Sequence, residues 1–247
     1  DQDPCPYMLI GAALSHSGTG TLTLVDTLVR ENTGHYAPAI YNDKGSVYVN
    51  NSTIAHNHAL ESNNIINRGI MDFINSTLYA NTAGIGKNVG IENNGTLHIY
   101  STTFANQGPT ASINNVSTGI VYIQDTILQV LPGGFNSNCN TNNPGVWTSS
   151  GYNIFSDDTC PWNELAGDLK NTSAGLGPLG DWGGPTPTLP LISTSPALNH
   201  RPSTCFLPLA PLRNDQRYYP RNDTLCDTGA FEGFLNLNQT FLPLVNR

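Results

Sequence analysis

Five segments of this chain repeat one pattern at a spacing of about two dozen residues, and that repetition constrains the fold more than any other feature. Aligned on a glycine, they read GTLTLVDTLVREN from Gly20, GSVYVNNSTIAHN from Gly45, GIMDFINSTLYAN from Gly69, GTLHIYSTTFANQ from Gly95 and GIVYIQDTILQVL from Gly119. The starts lie 25, 24, 26 and 24 residues apart. Two residues after each glycine stand Leu22, Val47, Met71, Leu97 and Val121; four after, Leu24, Val49, Phe73, Ile99 and Ile123. Alternation with period two marks a strand with one buried face. Small polar residues follow at Asp26, Asn51, Asn75, Ser101 and Asp125, and an opposite phase resumes at Val29, Ile54, Leu78, Phe104 and Leu128. A bend at the small polar position is therefore expected in every unit. A second apolar group closes each unit: Ile40, then Ile65 with Ile66, Val89 with Ile91, and Ile113 with Val116.

Three short strands per unit and no helix-length period of 3.6 predict an all-β chain. Units of this length stacked at the strand spacing of roughly 4.8 Å form a parallel β-helix, in which like residues lie over like. Aliphatic columns then fill the core. The column Asn32, Asn57, Asn81 and Gln107 is expected to pass hydrogen bonds from coil to coil, as in amide ladders. A propeller blade needs roughly 40 residues, too many for these units. A sandwich does not require such register.

Composition supports this reading. Only 11% of residues are charged, whereas Gly (24) and Pro (17) are abundant, which disfavours surface helices and favours short strands joined by turns. The net charge is −8 with no basic run, which speaks against nucleic acid or an anionic membrane surface as partner. No apolar stretch reaches the roughly 20 residues of a membrane helix. The opening DQDPCPYMLIG, without an initiator Met, reads as a processed or trimmed chain.

The repeat dissolves after Leu131. The expected organisation is one continuous domain: coils over 1–131, last coils and a Pro/Gly-rich capping module over 132–232, and an apolar tail over 233–247. The segment LGPLGDWGGPTPTLPLISTSPALN, Leu176–Asn199, cannot be helical and reads as a long ordered wrap. Of five cysteines, Cys139 with Cys160 and Cys205 with Cys226 are spaced as two local pairs, each bridge worth roughly 3 kcal/mol by loop closure. Disulfides imply an extracellular setting, and Cys5 is left over.

The segments GYNIFSDDTC, LGPLGDWGGPTPTLPLISTSPALN, DQR followed by PR, and CDTGAFE resemble the C-terminal module of a family of extracellular right-handed β-helix proteins. These are bacterial surface proteins of the choice-of-anchor and polymorphic outer-membrane-repeat kind. The resemblance runs from Gly20 to Glu232 and implies a right-handed parallel β-helix with a disulfide-linked cap and the same two cysteine pairings. It implies little about activity. Family members often continue after GAFE into a linker and anchor, whereas this chain continues GFLNLNQTFLPLVNR.

Catalytic signals are thin. Glycoside hydrolysis needs two acids across a groove, and a lyase needs clustered acids with a base. Asp157 and Asp158 sit beside Cys160, while Asp26 and Asp125 lie four coils apart. Arg213, Asp215, Arg217 and Arg221 read as a structural ion-pair cluster under the wrap. His56 and His58 lack a third metal ligand. No catalytic residue, metal or cofactor is expected.

What remains is binding and assembly. The apolar tail and the spare thiol nominate Cys5, Phe234, Leu237, Phe241 and Leu244 as self-assembly contacts. The first expectation is thus a non-catalytic structural protein, a surface-fibre subunit joining head to tail with copies of itself. Tyr48 and Tyr122 share one outward column with His98 and nominate a glycan-stacking face, hence an adhesin as the alternative. Sequons at Asn50, Asn51, Asn75, Asn94, Asn115, Asn171, Asn222 and Asn238 mark candidate N-glycosylation sites, of which the last three stand outside the repeat. Asn51 and Asn75 must point outward to carry sugar, because an amide inside a ladder cannot.

Overall fold

The computed structural model describes residues 12–84, 90–107, 110–116, 118–130, 136–140, 145–162, 165–207, 210–221 and 224–235. The chain winds into a parallel β-solenoid with no helix among these residues. Sheet I stacks Leu14–His16, Ile40–Asn42, Ile65–Asn67, Ile91–Asn93, Ala111–Asn115 and Ser137–Asn140. Sheet II stacks Thr21–Val25, Ser46–Asn50, Ile70–Ile74, Thr96–Tyr100, Ile120–Gln124 and Val146–Ser149. Sheet III stacks Leu28–Arg30, Thr53–Ala55, Thr77–Tyr79, Thr103–Ala105, Ile127–Gln129 and Ile154–Phe155.

The register matches the sequence alignment residue for residue. Leu22, Val47, Met71, Leu97 and Val121 pair in one Cα column, and Val29, Ile54, Leu78, Phe104 and Leu128 in another. These columns and the one from Leu24 to Ile123 form a single core, to which sheet I adds Ile40, Ile65, Ile91 and Ile113. Val116 lies past its strand and half-buried, and Ile66 packs with Ala37 and Tyr41 outside the main core. Val89 lies outside the described residues.

The repeating glycine has a packing cause. A Cβ on Gly69 would stand 2.4 Å from the Gly45 carbonyl oxygen, and one on Gly95 would stand 2.1 Å from that of Gly69. Only a bare backbone lets successive coils approach there. The expected bend is real as well: Asp26, Asn51, Asn75, Ser101 and Asp125 all take left-handed φ, between 46° and 53°. Asn, Asp and Ser are the side chains most suited to such turns. A second bend at Glu31, His56, Ala80 and Asn106 has φ between 48° and 58° but carries no compositional mark.

The predicted amide ladder is present, Asn32 Nδ2 donating to Asn57 Oδ1 at 2.8 Å, Asn57 to Asn81 at 2.8 Å and Asn81 to Gln107 at 3.0 Å. A second ladder joins sheet I to sheet II through Asn42, Asn67, Asn93 and Asn115, with three links of 2.8 Å. The sequence reading missed it, because these residues stand 3, 2, 2 and 4 positions before Gly45, Gly69, Gly95 and Gly119, so glycine alignment scatters them.

The two ends of the solenoid differ. At the first coil Leu22 is half-buried, while Val25 and Leu28 are 49% and 37% exposed. The last coil is closed by Trp162, which lies edge-on to Phe155 at 4.8 Å and beside Trp147 at 5.1 Å, over the Cys139–Cys160 disulfide. The chain then covers sheet III with a strap of four passes, meeting the fifth coil at Ala174, the second at Thr186 and Pro187, and the fifth again at Arg201. It next reaches the first coils at Gln216 and Tyr218 and returns to the fourth and fifth at Ala230 and Gly229. The second disulfide, Cys205–Cys226, ties the last two passes together.

Candidate functional site

The strap decides which surfaces remain available. On sheet III the outward Thr53, Thr77 and Thr103 are buried and bonded to it, Thr77 Oγ1 donating to Gln216 Oε1 at 2.6 Å and Gln216 Nε2 donating to Thr53 Oγ1 at 2.8 Å. Its charges at Asp215, Arg217, Arg221 and Asp227 are buried, whereas Asp181 and Arg213 are exposed. Asp215 is fully buried and accepts from Arg217 Nη2 at 2.6 Å, from Arg217 Nε at 2.8 Å and from three backbone amides. Arg201 holds both oxygens of Asp125 within 2.9 Å, and Tyr218 donates to Asp26. The cluster in RNDQRYYPR is thus a clamp, as the sequence reading expected.

Arg221 is the most connected group of this clamp. Its guanidinium bonds Glu232 Oε2 at 2.8 Å, the Gly229 and Asp227 carbonyls, and Asn75 Oδ1 of the third coil at 3.1 Å. Burial, opposed by Arg221 and reinforced by Asp227, pushes the Glu232 carboxyl up to about 7. Cys205, Cys226 and Glu232 converge within 4.8 Å, but both sulfurs are committed to the disulfide and the Arg221 guanidinium stands among them. A cation is not suited to that place.

The nominated acids do not meet in a groove. Asp157 accepts from Thr159 and the Asn138 amide, which shapes its own loop, and Asp26 and Asp125 are engaged four coils apart. His56 lies edge-on to Tyr79 at 5.3 Å, and His58 Nδ1 meets Thr82 Oγ1 at 2.9 Å.

Two glycosylation candidates are buried. Asn75 is 2% exposed, its amide donating to Asn51 Oδ1 and to the Asn214 carbonyl. Asn115 is fully buried, its amide engaged with the Gly119 and Val146 carbonyls. Neither leaves room for a sugar in this fold. Asn50, Asn51 and Asn94 are half-buried, and Asn171 is exposed with no side-chain bond to a described residue. Asn222 and Asn238 lie outside the described residues, as do Cys5, Leu237, Phe241 and Leu244. Phe234 is 51% exposed, pairing in a bridge with Leu191, and the next amide, of Leu235, donates to the Leu191 carbonyl. Through Leu235 the tail therefore lies on its own strap.

Among the described residues, the strap leaves the outer face of sheet II open. Its central outward column runs Thr23, Tyr48, Asp72, His98, Tyr122 and Thr148, one residue per coil in Cα register. His98 Nδ1 meets Asp72 Oδ1 at 2.7 Å. The imidazole stacks on Tyr122 at 5.2 Å and 26°, and lies parallel to Tyr100 at 6.1 Å and 11°. Tyr100 is buried, and burial with Asp72 and Tyr122 nearby pushes its phenol up to about 12, so it stays neutral. Asp72 fixes the ring plane of His98 and leaves Nε2 pointing away from that bond. Around the column stand Ile70, 41% exposed, and Val146, 58% exposed. None of the six strands of this sheet carries Lys or Arg. The sequence reading placed Tyr48, His98 and Tyr122 together but passed over Asp72, although it occupies the same position of the Gly69 unit.

Such a surface offers aromatic rings, with one face of Tyr122 already stacked on His98, together with two phenol hydroxyls, one carboxylate oxygen and one imidazole nitrogen, all at the spacing of stacked strands. It supplies hydrogen bonds and ring stacking, and Asp72 is the one acid on the strands of this sheet. A cleft of about 200 Å³ between Tyr79, Asn106 and the strap at Ser173 is smaller than the usual pocket for a drug-sized ligand. No protein-family model, curated protein or solved structure matches the chain.

Proposed function

We propose that the protein is a non-catalytic extracellular surface β-helix, allied to the choice-of-anchor kind, that recognises carbohydrate through the outer face of sheet II. The observation that carries this reading is the column from Tyr48 to Tyr122, with the Asp72–His98 pair at its centre, on the face the strap does not cover. Sugars present apolar C–H faces and hydroxyl rims, and amphipathic rings beside fixed polar groups answer both. The two disulfides fit an oxidising environment. The test is a glycan array with wild-type protein and Tyr122→Ala. Saturable binding that the substitution abolishes, with circular dichroism unchanged, is the expected result. Binding indifferent to Tyr48 and Tyr122, or none at all, overturns the reading.

Self-association is the second reading, and the exposed Val25 and Leu28 on the first coil favour it. An uncovered coil edge is a template for strand pairing. The aromatic closure of the last coil and the docking of Leu235 on Leu191 oppose stacking coil onto coil through the other end. Light scattering at micromolar concentration decides: a concentration-dependent rise in mass supports association, and a constant monomer mass removes it.

A further inference from the structure

We infer that the ligand of the sheet II face is a linear, uncharged glycan laid along the solenoid axis across several coils, rather than a terminal or acidic sugar. This rests on the carbohydrate reading of the same face and adds the ligand's shape and charge.

Shape follows from the stacking. Tyr48 and Tyr122 occupy one column three coil steps apart, which at the parallel strand spacing is roughly 14 Å. Asp72 and His98 fill the two positions between them. The site is therefore an axial file of four side chains with aromatic groups at both ends and hydrogen-bonding groups in the middle. Asp72 Oδ1 is spent on His98, which leaves Oδ2 to accept and His98 Nε2 to exchange a hydrogen bond with ring hydroxyls. Neighbouring columns keep the file straight, with small or aliphatic residues on one side, Ser46, Ile70, Thr96 and Ile120. A single sugar touches one end only, whereas a chain of several engages both tyrosines at once. The second contact then forms at high effective concentration, so affinity climbs with chain length.

Charge follows from the side chains. Asp72 is the one formal charge on the strands of sheet II from Thr21–Val25 to Ile120–Gln124, and it is negative. The whole chain carries −8. A uronate, sulfate or phosphate polymer lying on these strands meets the Asp72 carboxylate and finds no guanidinium or ammonium on them, Lys44 and Arg68 standing before the strands and Arg68 being paired with Asp43. A neutral polymer loses nothing there and gains the carboxylate as an acceptor.

The experiment titrates the full chain calorimetrically with cello-oligosaccharides and manno-oligosaccharides of two to six units, and with galacturonate oligomers of equal length. Expected is a Kd that falls roughly tenfold or more from the dimer to the tetramer of a neutral series and then levels off. The galacturonate series is expected to bind at least roughly tenfold more weakly. Tyr48→Ala and Tyr122→Ala are each expected to erase the gain from length, so that the tetramer then binds no more tightly than the dimer. Neutral binding without length dependence overturns the axial site and leaves the carbohydrate reading standing. Tighter binding of galacturonate overturns the charge assignment alone. No binding by any oligomer overturns both.

Discussion

Sheets II and III are built from the same units, share one core and alternate in the same way, yet their outer faces have opposite fates. The outward column of sheet III, Thr53, Thr77 and Thr103, is buried beneath the strap and spent on its hydrogen bonds. The outward column of sheet II keeps aromatic and titratable groups in reach of solvent. The inward residues make a coil, while the outward residues of each sheet determine whether the strap settles on them or leaves them exposed. Short hydroxyl side chains beside a left-handed bend let a second layer of backbone approach, and protruding rings hold it off.

Substitutions sharpen this contrast, beginning with the shared core. Phe73 is fully buried and edge-on to Phe104 at 6.0 Å. Phe73→Ala is expected to cost about 3–5 kcal/mol in denaturant unfolding, while Ile70→Ala, on the same strand but facing out, stays within about 0.5 kcal/mol. Equal effects would mean that the outer face of sheet II is packed against something.

Arg221→Ala strands a buried carboxylate, two carbonyls and Asn75 Oδ1, and is expected to cost roughly 3 kcal/mol. Hydrogen exchange should show faster exchange at Gly229 and Ala230 with the amides of sheet II unchanged. If sheet II loses protection equally, strap and solenoid form one cooperative unit and the comparison fails.

The smallest effect is the pH dependence of the strap. Glu232 titrates at about 7 when folded, against an ordinary value of 4.5, because burial penalises its ionised form more than Arg221 compensates. A folded pKa above the unfolded one means that its stabilisation is complete below pH 4.5 and is lost as pH rises through about 7. Resistance of the strap to limited proteolysis should therefore decline across that window, and Glu232→Gln should flatten the decline. An unchanged slope in the variant would assign the effect to another group, such as Asp125, whose carboxyl is also raised by burial.

Legibility followed locality. The core columns, the first bend and the ladder through Asn57 were readable because each repeats at a constant offset from the glycine, and stacking in register preserves constant offsets. The second bend was not, since left-handed backbone at Glu31, His56 and Ala80 is imposed by closure of the coil rather than by those side chains. The ladder through Asn93 was hidden by variable spacing to the glycine. The burial of Asn75 was not legible for a simple reason: a sequon states a local pattern, and burial is set by residues far along the chain, here Asn214 and Arg221.

The sequence by itself determined a parallel solenoid of short strands and the identity of its core columns, because stacked coils write their contacts as a period, and it suggested the two cysteine pairs by their short separation along the chain. Only the tertiary structure decided that sheet III is roofed and sheet II open, and that Asp72 meets His98 across two coils. Those outcomes depend on where a strap without period comes to rest, through contacts between residues as distant as Ser52 and Gln216, and no local pattern encodes a contact of that range.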